Sequence, residues 1–301
     1  MYAIEINGLS KTYDGRRYAL NNLSFSIPQG EIFGFLGPNG SGKTTTVRIL
    51  NGILSQTAGN ASIMGVNVEN NPTEIHSFCG VMTETALPYE NLTGAENLRF
   101  FGSMHGISGN EIEDRSERLL KSLDLFEAKD KKVRAYSTGM KKRLSLARAL
   151  LHHPKILFLD EPTSGLDPEA AVNVTEMIRK LSKEHGVTVF LCTHQLKYAE
   201  DICTLYGFIH DGKMLGFGTF GQLLNTKNAS IYLEIRGDNI PEIKGVESTN
   251  DSRLRIPIKN DEEAASVVQA ITSKGGRIYE ARQIHWSLED LYFSYQKEEL
   301  R

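Results

Sequence analysis

The chain has 301 residues, 40% hydrophobic and 24% charged, the balance of an ordinary soluble globular protein with room for one large domain or two unequal ones. A net charge of −3 argues against a nucleic-acid binder held by phosphate contacts, because such domains carry a basic excess. No uninterrupted apolar run reaches the roughly 18 residues of a membrane span, Met1–Ile6 alternates like a strand rather than a signal peptide, and Cys79, Cys192 and Cys203, widely spaced without a CxxC, read as reduced thiols.

Residues 1–36 read as strands and turns. Ile4, Ile6 and Leu9, then Leu23, Phe25 and Ile27, alternate with polar neighbours, and Asp14-Gly15 and Pro28-Gln29-Gly30 are turn signals. Tyr13 and Tyr18 flank the first turn; spacing alone leaves open whether either stacks on a ligand or packs on its own sheet. The apolar run Ile32–Leu36 then leads into Gly37-Pro38-Asn39-Gly40-Ser41-Gly42-Lys43-Thr44, and Thr45 onward reads as a helix to about Leu54. Strand, glycine loop and helix in that order make a phosphate cradle, and the four residues between Gly37 and Gly42-Lys43-Thr44 fit the P-loop pattern. Backbone N–H groups converge there with the positive end of the helix, Lys43 can reach terminal phosphates, and the Thr44 hydroxyl can ligate Mg²⁺.

A strand pattern over 59–68 and a short one over 78–82 lead to Thr83-Glu84. Residues 85–153 turn helical: Thr93–Met104 with a Thr93/Glu96 capping box, Glu111–Leu123, and Met140–His153 stopped by Pro154. Lys155–Glu161 reads as a buried parallel strand ending in two carboxylates, at the edge where open α/β sheets bind ligands. Asp167-Pro168 opens a helix that Gly186 ends, and Val187–Cys192 is a second buried strand ending in Thr193-His194. The polar stretch Asn225–Asn228 marks a boundary, giving domains 1–224 and 230–301. The tail reads as a small α+β module with strands at 231–235, 254–258 and 278–284 and helices at 262–273 and from Ser287.

Over residues 2–222 these stations resemble the ATP-binding subunit of ABC transporters. Gly37–Thr44 matches the Walker A loop, Ile156–Glu161 the Walker B strand with its following acid, Ser164-Gly165-Leu166-Asp167 the D-loop, His194 the switch histidine, and Tyr13 the adenine-stacking aromatic. The signature, usually Leu-Ser-Gly-Gly-Gln, stands as Tyr136-Ser137-Thr138-Gly139-Met140, and the Q-loop position holds Glu84. Both departures, with Gly218-Thr219 and Ser287–Leu291, resemble the branch that works with ABC-2 type membrane subunits, mostly exporters.

The resemblance implies an α/β P-loop NTPase cassette: a RecA-like core, an antiparallel β subdomain and a helical subdomain at about 85–153, followed by the α+β module. It implies ATP and Mg²⁺. Gly37, Pro38, Asn39, Gly40, Ser41, Gly42, Lys43, Thr44 and Thr45 would surround the phosphates, with Asp167 also at the nucleotide. Thr44, Glu84 and Asp160 would serve the metal, Glu161 would orient and deprotonate water, and His194 would donate to the γ-phosphate. Ser137 and Gly139 would reach the ATP of a second cassette, so a homodimer with two composite sites is implied. A separate transmembrane permease is the further partner, with Thr85–Tyr89 in its docking groove and the chain peripheral on the cytoplasmic face of the membrane. The alternative is a non-transport ABC ATPase acting on ribosomes or DNA. Its ribosomal relatives usually carry two cassettes, and its DNA-repair relatives carry long coiled coils absent from this sequence.

Overall fold

The computed structural model describes residues 1–83, 87–227, 231–241, 247–248 and 253–299. Strands β1 (Tyr2–Thr12) and β2 (Tyr18–Pro28) pair antiparallel, with Ile4, Ile6 and Leu9 opposite Ile27, Phe25 and Leu23. The alternation seen in the sequence thus buries one face of a hairpin. There follow β3 (Ile32–Leu36), α1 (Lys43–Leu50), β4 (Ala58–Ile63), β5 (Val66–Asn67), α2 (Pro72–Phe78) and β6 (Cys79–Met82). The helical stretch holds α3 (Gly94–Met104), α4 (Gly109–Ser122) and α5 (Thr138–Leu150). The chain re-enters the sheet as β7 (Ile156–Asp160), α6 (Pro168–His185), β8 (Thr188–Thr193), α7 (Leu196–Ile202), β9 (Leu205–His210) and β10 (Lys213–Gly218).

Two sheets result. One is antiparallel, in the order β2-β1-β4-β5; the other runs β10-β9-β3-β8-β7-β6, parallel from β9 to β6 with β10 antiparallel at its edge. Phenylalanines lock one sheet onto the other: Phe25 of β2 lies 5.4 Å from Phe33 and 5.9 Å from Phe35, which meet Phe190 at 5.1 and 5.4 Å. Burying each ring contributes roughly 1.5–3 kcal/mol, so this cluster fixes the frame from which the strand ends project. The expected α/β cassette, with its antiparallel and helical additions, is the fold observed.

Local departures have local causes. Helix α2 is an element the sequence reading omitted, although Asn71 caps it by accepting the Glu74 N–H and Pro72 fills its first turn. The helix expected to reach Leu54 stops at Leu50, where Gly52 turns the chain at φ +64°. That expected to reach His153 stops at Leu150, and His153 itself sits at φ +53°. The Thr93/Glu96 capping box forms with both hydrogen bonds.

The chain divides into two compact units, Met1–Thr219 and Phe220–Arg301. The second holds α8 (Phe220–Thr226), β11 (Ile231–Asp238), β12 (Glu247–Ser248), β13 (Leu254–Ile258), α9 (Asp261–Ser273), β14 (Arg277–Ile284) and α10 (Leu288–Glu299). Its sheet runs β12-β13-β11-β14, and Leu233, Ile235, Ile256 and Ile258 pack on Ala264 and Ile271 of α9. Between these apolar positions Glu234 points the other way, where its carboxylate accepts from Arg253, Arg255 and Arg282 at 2.8, 3.0 and 2.7 Å. Burial pushes this carboxyl up, but the three guanidinium groups outweigh it and hold the pKa at about 2.

Candidate active site

The glycine loop leaves the carboxyl end of β3, whose five residues are all buried, and turns directly into α1. Glycine is required at two of its positions. A Cβ on Gly37 would lie 2.2 Å from the Ile209 carbonyl oxygen, and Gly42 holds φ +112°. Lys43 is 7% exposed, and its ammonium donates to the Gly37 and Pro38 carbonyls at 2.6 and 3.0 Å. The Thr46 N–H and hydroxyl both return to the Gly42 carbonyl, at 2.9 and 3.1 Å, and fix the first turn of the helix. Pro38, Asn39, Gly40 and Thr44 are exposed at the loop surface, and Thr45 is half-buried. Ser41 is buried, and its hydroxyl has no hydrogen-bond partner among the described residues. A buried orphan hydroxyl, a buried lysine held by two carbonyls of the loop and a helix N-terminus together suit a ligand rich in anionic oxygen.

Tyr13 stands beside this loop. Its hydroxyl is 3.5 Å from Thr45 Oγ1, its ring is 64% exposed, and the Lys11 ammonium lies 5.3 Å from the ring centre. Tyr18 instead faces Thr12 in the hairpin register. Tyr13, the tyrosine to which the resemblance points, thus adjoins the phosphate loop.

The parallel register brings the other groups to the same edge. Phe35 of β3 lies beside Cys192 of β8, and Cys192 beside Asp160 of β7. The Cys192 thiol is raised far above its usual range, first by burial and then by Asp160, while Lys43 pulls it down and Glu161 pushes it up. Three formal charges therefore surround the end of β8. Glu161 holds φ +48°, a left-handed conformation that is costly for a non-glycine residue. Its backbone N–H bonds to the Cys192 carbonyl at 3.0 Å, which ties the turn to β8. One carboxylate oxygen accepts from the His194 N–H at 2.9 Å and contacts His194 Nδ1 at 2.6 Å; the other accepts from Thr193 Oγ1 at 2.9 Å and from Gln195 Nε2 at 3.4 Å. The sequence reading singled out His194 but passed over Thr193 and Gln195, whose only signal was their place beside it at the end of a buried strand.

Ser137, Gly139 and Asp167 stand at the N-terminal ends of α5 and α6. Ser137 caps α5 by accepting the Met140 N–H at 3.2 Å, and Asp167 caps α6 by accepting the Ala170 N–H at 2.9 Å, which lowers its carboxyl pKa. A Cβ on Gly139 would meet Leu166 at 3.3 Å, so the start of α5 lies against the Ser164–Asp167 turn. Lys142, also on α5, donates to the Ser164 and Glu161 carbonyls at 2.5 and 3.1 Å. Among the described residues no hydrogen bond joins Ser137 or Gly139 to the Gly37–Thr44 loop.

Glu84, expected at the metal, and Thr85 of the expected docking groove lie outside the described residues. Leu87 and Tyr89 are 57% and 51% exposed, and the Tyr89 ring meets Phe100, itself 43% exposed, at 5.3 Å. For Mg²⁺, the Thr44 hydroxyl and the Asp160 carboxylate are hard oxygen donors of the kind that the ion takes. No group of three or more His, Cys, Asp or Glu side chains among the described residues could hold a metal alone. The donor set thus fits a Mg²⁺ that shares its coordination with phosphate oxygens.

The sequence pattern of the ABC transporter family matches residues 20–164. A linearmycin resistance ATP-binding protein of Bacillus subtilis is 30% identical over 276 residues, covering 90% of this chain and 88% of that protein. A bacitracin transport ATP-binding protein of Bacillus licheniformis is 39% identical over 233 residues, covering 77% of this chain and 74% of that one. Among solved structures, a dimeric post-hydrolysis state of an ATP-binding cassette bound to ADP and Pi superposes with a TM-score of 0.67 at 27% identity, covering 72% of this chain and 98% of that one.

Proposed function

The chain belongs to the ABC transporter family and is the ATP-hydrolysing motor of an exporter-type transporter, and on that premise we propose that two copies close around two ATP molecules, each held by the phosphate loop of one copy and by Ser137 and Gly139 of the other. The observation that carries this reading is that, among the described residues, the signature residues and the phosphate loop share no hydrogen bond. Lys43, Asp160, Glu161 and His194 surround the end of β8, whereas Ser137 and Gly139 hydrogen-bond to no part of their own chain's loop. A symmetric pair with the same patch on both members brings each surface to the other.

Within one site, the loop N–H groups and the Ser41 hydroxyl receive phosphate oxygens, and Lys43 exchanges the Gly37 and Pro38 carbonyls for the terminal phosphates. Thr44 and Asp160 would hold Mg²⁺, which would supply positive charge beside the phosphates. The exposed Tyr13 face stacks on adenine. Glu161 is the base for the attacking water. As it stands both oxygens of its carboxylate are occupied, by Thr193 and Gln195 on one side and His194 on the other. Turnover therefore needs Glu161 to shed donors when the second copy closes. A His194 ring that donates Nδ1–H to Glu161 has only a lone pair at Nε2 unless it is protonated. Its donation to the γ-phosphate thus requires the imidazolium or a turn of the ring.

No helix among the described residues is long and apolar enough to cross a membrane. Force passes instead to a separate transmembrane permease, and the exposed Leu87, Tyr89 and Phe100 support a docking face near the region the sequence marked. The names of the relatives support an antimicrobial compound as cargo, moved outward. The paired-site reading is tested by mixing a Lys43→Ala chain with a Ser137→Ala chain. Random pairing leaves one intact site in half the dimers, so about a quarter of the wild-type ATPase should return. A mixture no more active than its separate components would overturn it.

A further inference from the structure

Lys142 lies two residues beyond Met140, on the same face of α5 as Gly139 three positions earlier. Together these residues join α5 to the turn that follows β7. Leu166 lies within reach of a Cβ on Gly139, and the Lys142 ammonium donates to the Glu161 and Ser164 carbonyls at 3.1 and 2.5 Å. The Glu161 carbonyl also accepts the Ser164 N–H at 3.3 Å, closing the turn in which Glu161 is held at φ +48°. An ammonium shared between two carbonyls at the two ends of a strained turn fixes the orientation of its peptide units. The first of those units carries the proposed base.

We propose that Lys142 is a positioning residue that ties the signature end of α5 to the turn bearing Glu161, so that engagement of Ser137 at one composite site is passed to the base of the other. The inference rests on the paired-site reading above. In such a pair, Ser137 of a given copy serves the partner's ATP while Glu161 of the same copy serves its own. Lys142 therefore spans the two sites through a contact made inside one chain. Removing it leaves the loop, the metal donors and Ser137 untouched. The loss should fall on the rate of the chemical step and on the communication between sites, with ATP binding preserved.

The experiment compares Lys142→Met, Lys142→Gln and Lys142→Arg in the full chain, with ATP-dependent dimerisation followed by light scattering and ATPase rate measured against ATP concentration. The Met variant should lose about tenfold in kcat with KM within about twofold, because a small displacement of a catalytic group is enough for such a loss. Its dependence on ATP concentration should become less sigmoidal than wild type, and it should still dimerise with ATP. The Arg variant, which retains a charged donor, should recover most of both. Wild-type kcat and wild-type cooperativity in the Met variant would overturn the proposal, as would an Arg variant no better than Met when both melt like wild type. Should the Met variant melt well below wild type, the Gln variant decides: its shorter, neutral amide cannot serve both carbonyls, so kcat and cooperativity should fall between the Arg and wild-type values on one side and the Met values on the other, and wild-type values in it would overturn the proposal. Failure of the wild-type chain to dimerise with ATP would instead overturn the paired-site reading, an outcome visible before any Lys142 variant is made.

Discussion

Replacing Glu161 with glutamine changes the shape of the site hardly at all and its proton chemistry completely. The carboxylate now accepts through both oxygens, from His194 on one side and from Thr193 and Gln195 on the other. An amide accepts through one oxygen and presents an NH₂ at the other end. With its oxygen on the His194 side the amide keeps that residue's backbone N–H and ring as donors, and the NH₂ on the other side meets the Thr193 hydroxyl, which can accept. The structural cost is therefore the exchange of charge-assisted hydrogen bonds for neutral ones, about 1–2 kcal/mol. The catalytic cost is larger, since a positioned general base is worth about 10²–10⁴ in rate, or about 3–5 kcal/mol at the transition state. Phosphate release by Glu161→Gln should accordingly fall at least about 100-fold. ATP affinity, measured by titration calorimetry, should stay within about threefold of wild type because Lys43 and the loop are unchanged. A dimer that binds ATP and does not hydrolyse it should then accumulate in ATP and be seen by light scattering. Turnover within about threefold of wild type would refute Glu161 as the base, and loss of ATP binding together with turnover would show that the residue supports the loop instead.

Two further outcomes follow from other contacts. Tyr13→Ala should raise the KM for ATP by about five- to 100-fold, the worth of one base–aromatic stack, while Tyr13→Phe keeps the ring and most of the affinity; an Ala variant with unchanged KM would remove Tyr13 from the site. In the second unit, Glu234 is held at about 2 from an ordinary 4.5, so its folded-state pKa is depressed. Its contribution, roughly 3 kcal/mol, is complete above pH 4.5 and lost as pH falls toward 2. Urea unfolding followed by Trp286, the chain's single tryptophan, should lose stability across that window in wild type. Glu234→Gln should start lower and lose less; equal acid sensitivity in both would show that the arginine cluster does not carry the effect.

Much of the site was legible because its parts are local. The loop Gly37–Thr44 needs glycine where the backbone turns and where Ile209 approaches, the Thr93 and Asp167 caps answer donors three residues away, and β7 and β8 announce themselves as unbroken apolar runs. Each of these is a contest settled within one turn or one strand, so residue types in order suffice to predict it. Strand order is a different matter. That β8 lies between β3 and β7 depends on how the crossovers pack, and only this arrangement sets Asp160 beside Cys192 and turns Thr193 and Gln195 toward Glu161 across more than thirty residues of sequence. The same holds for the contact of Tyr13 with Thr45, and for Lys142, whose carbonyl partners appear only when α5 is laid against the Glu161–Ser164 turn. The sequence by itself determined which chemical groups are present and which local backbone shapes they take, because those follow from short-range sterics and hydrogen bonding. Which group meets which was left to the tertiary structure, because that is set by the packing of whole sheets and helices around a shared core.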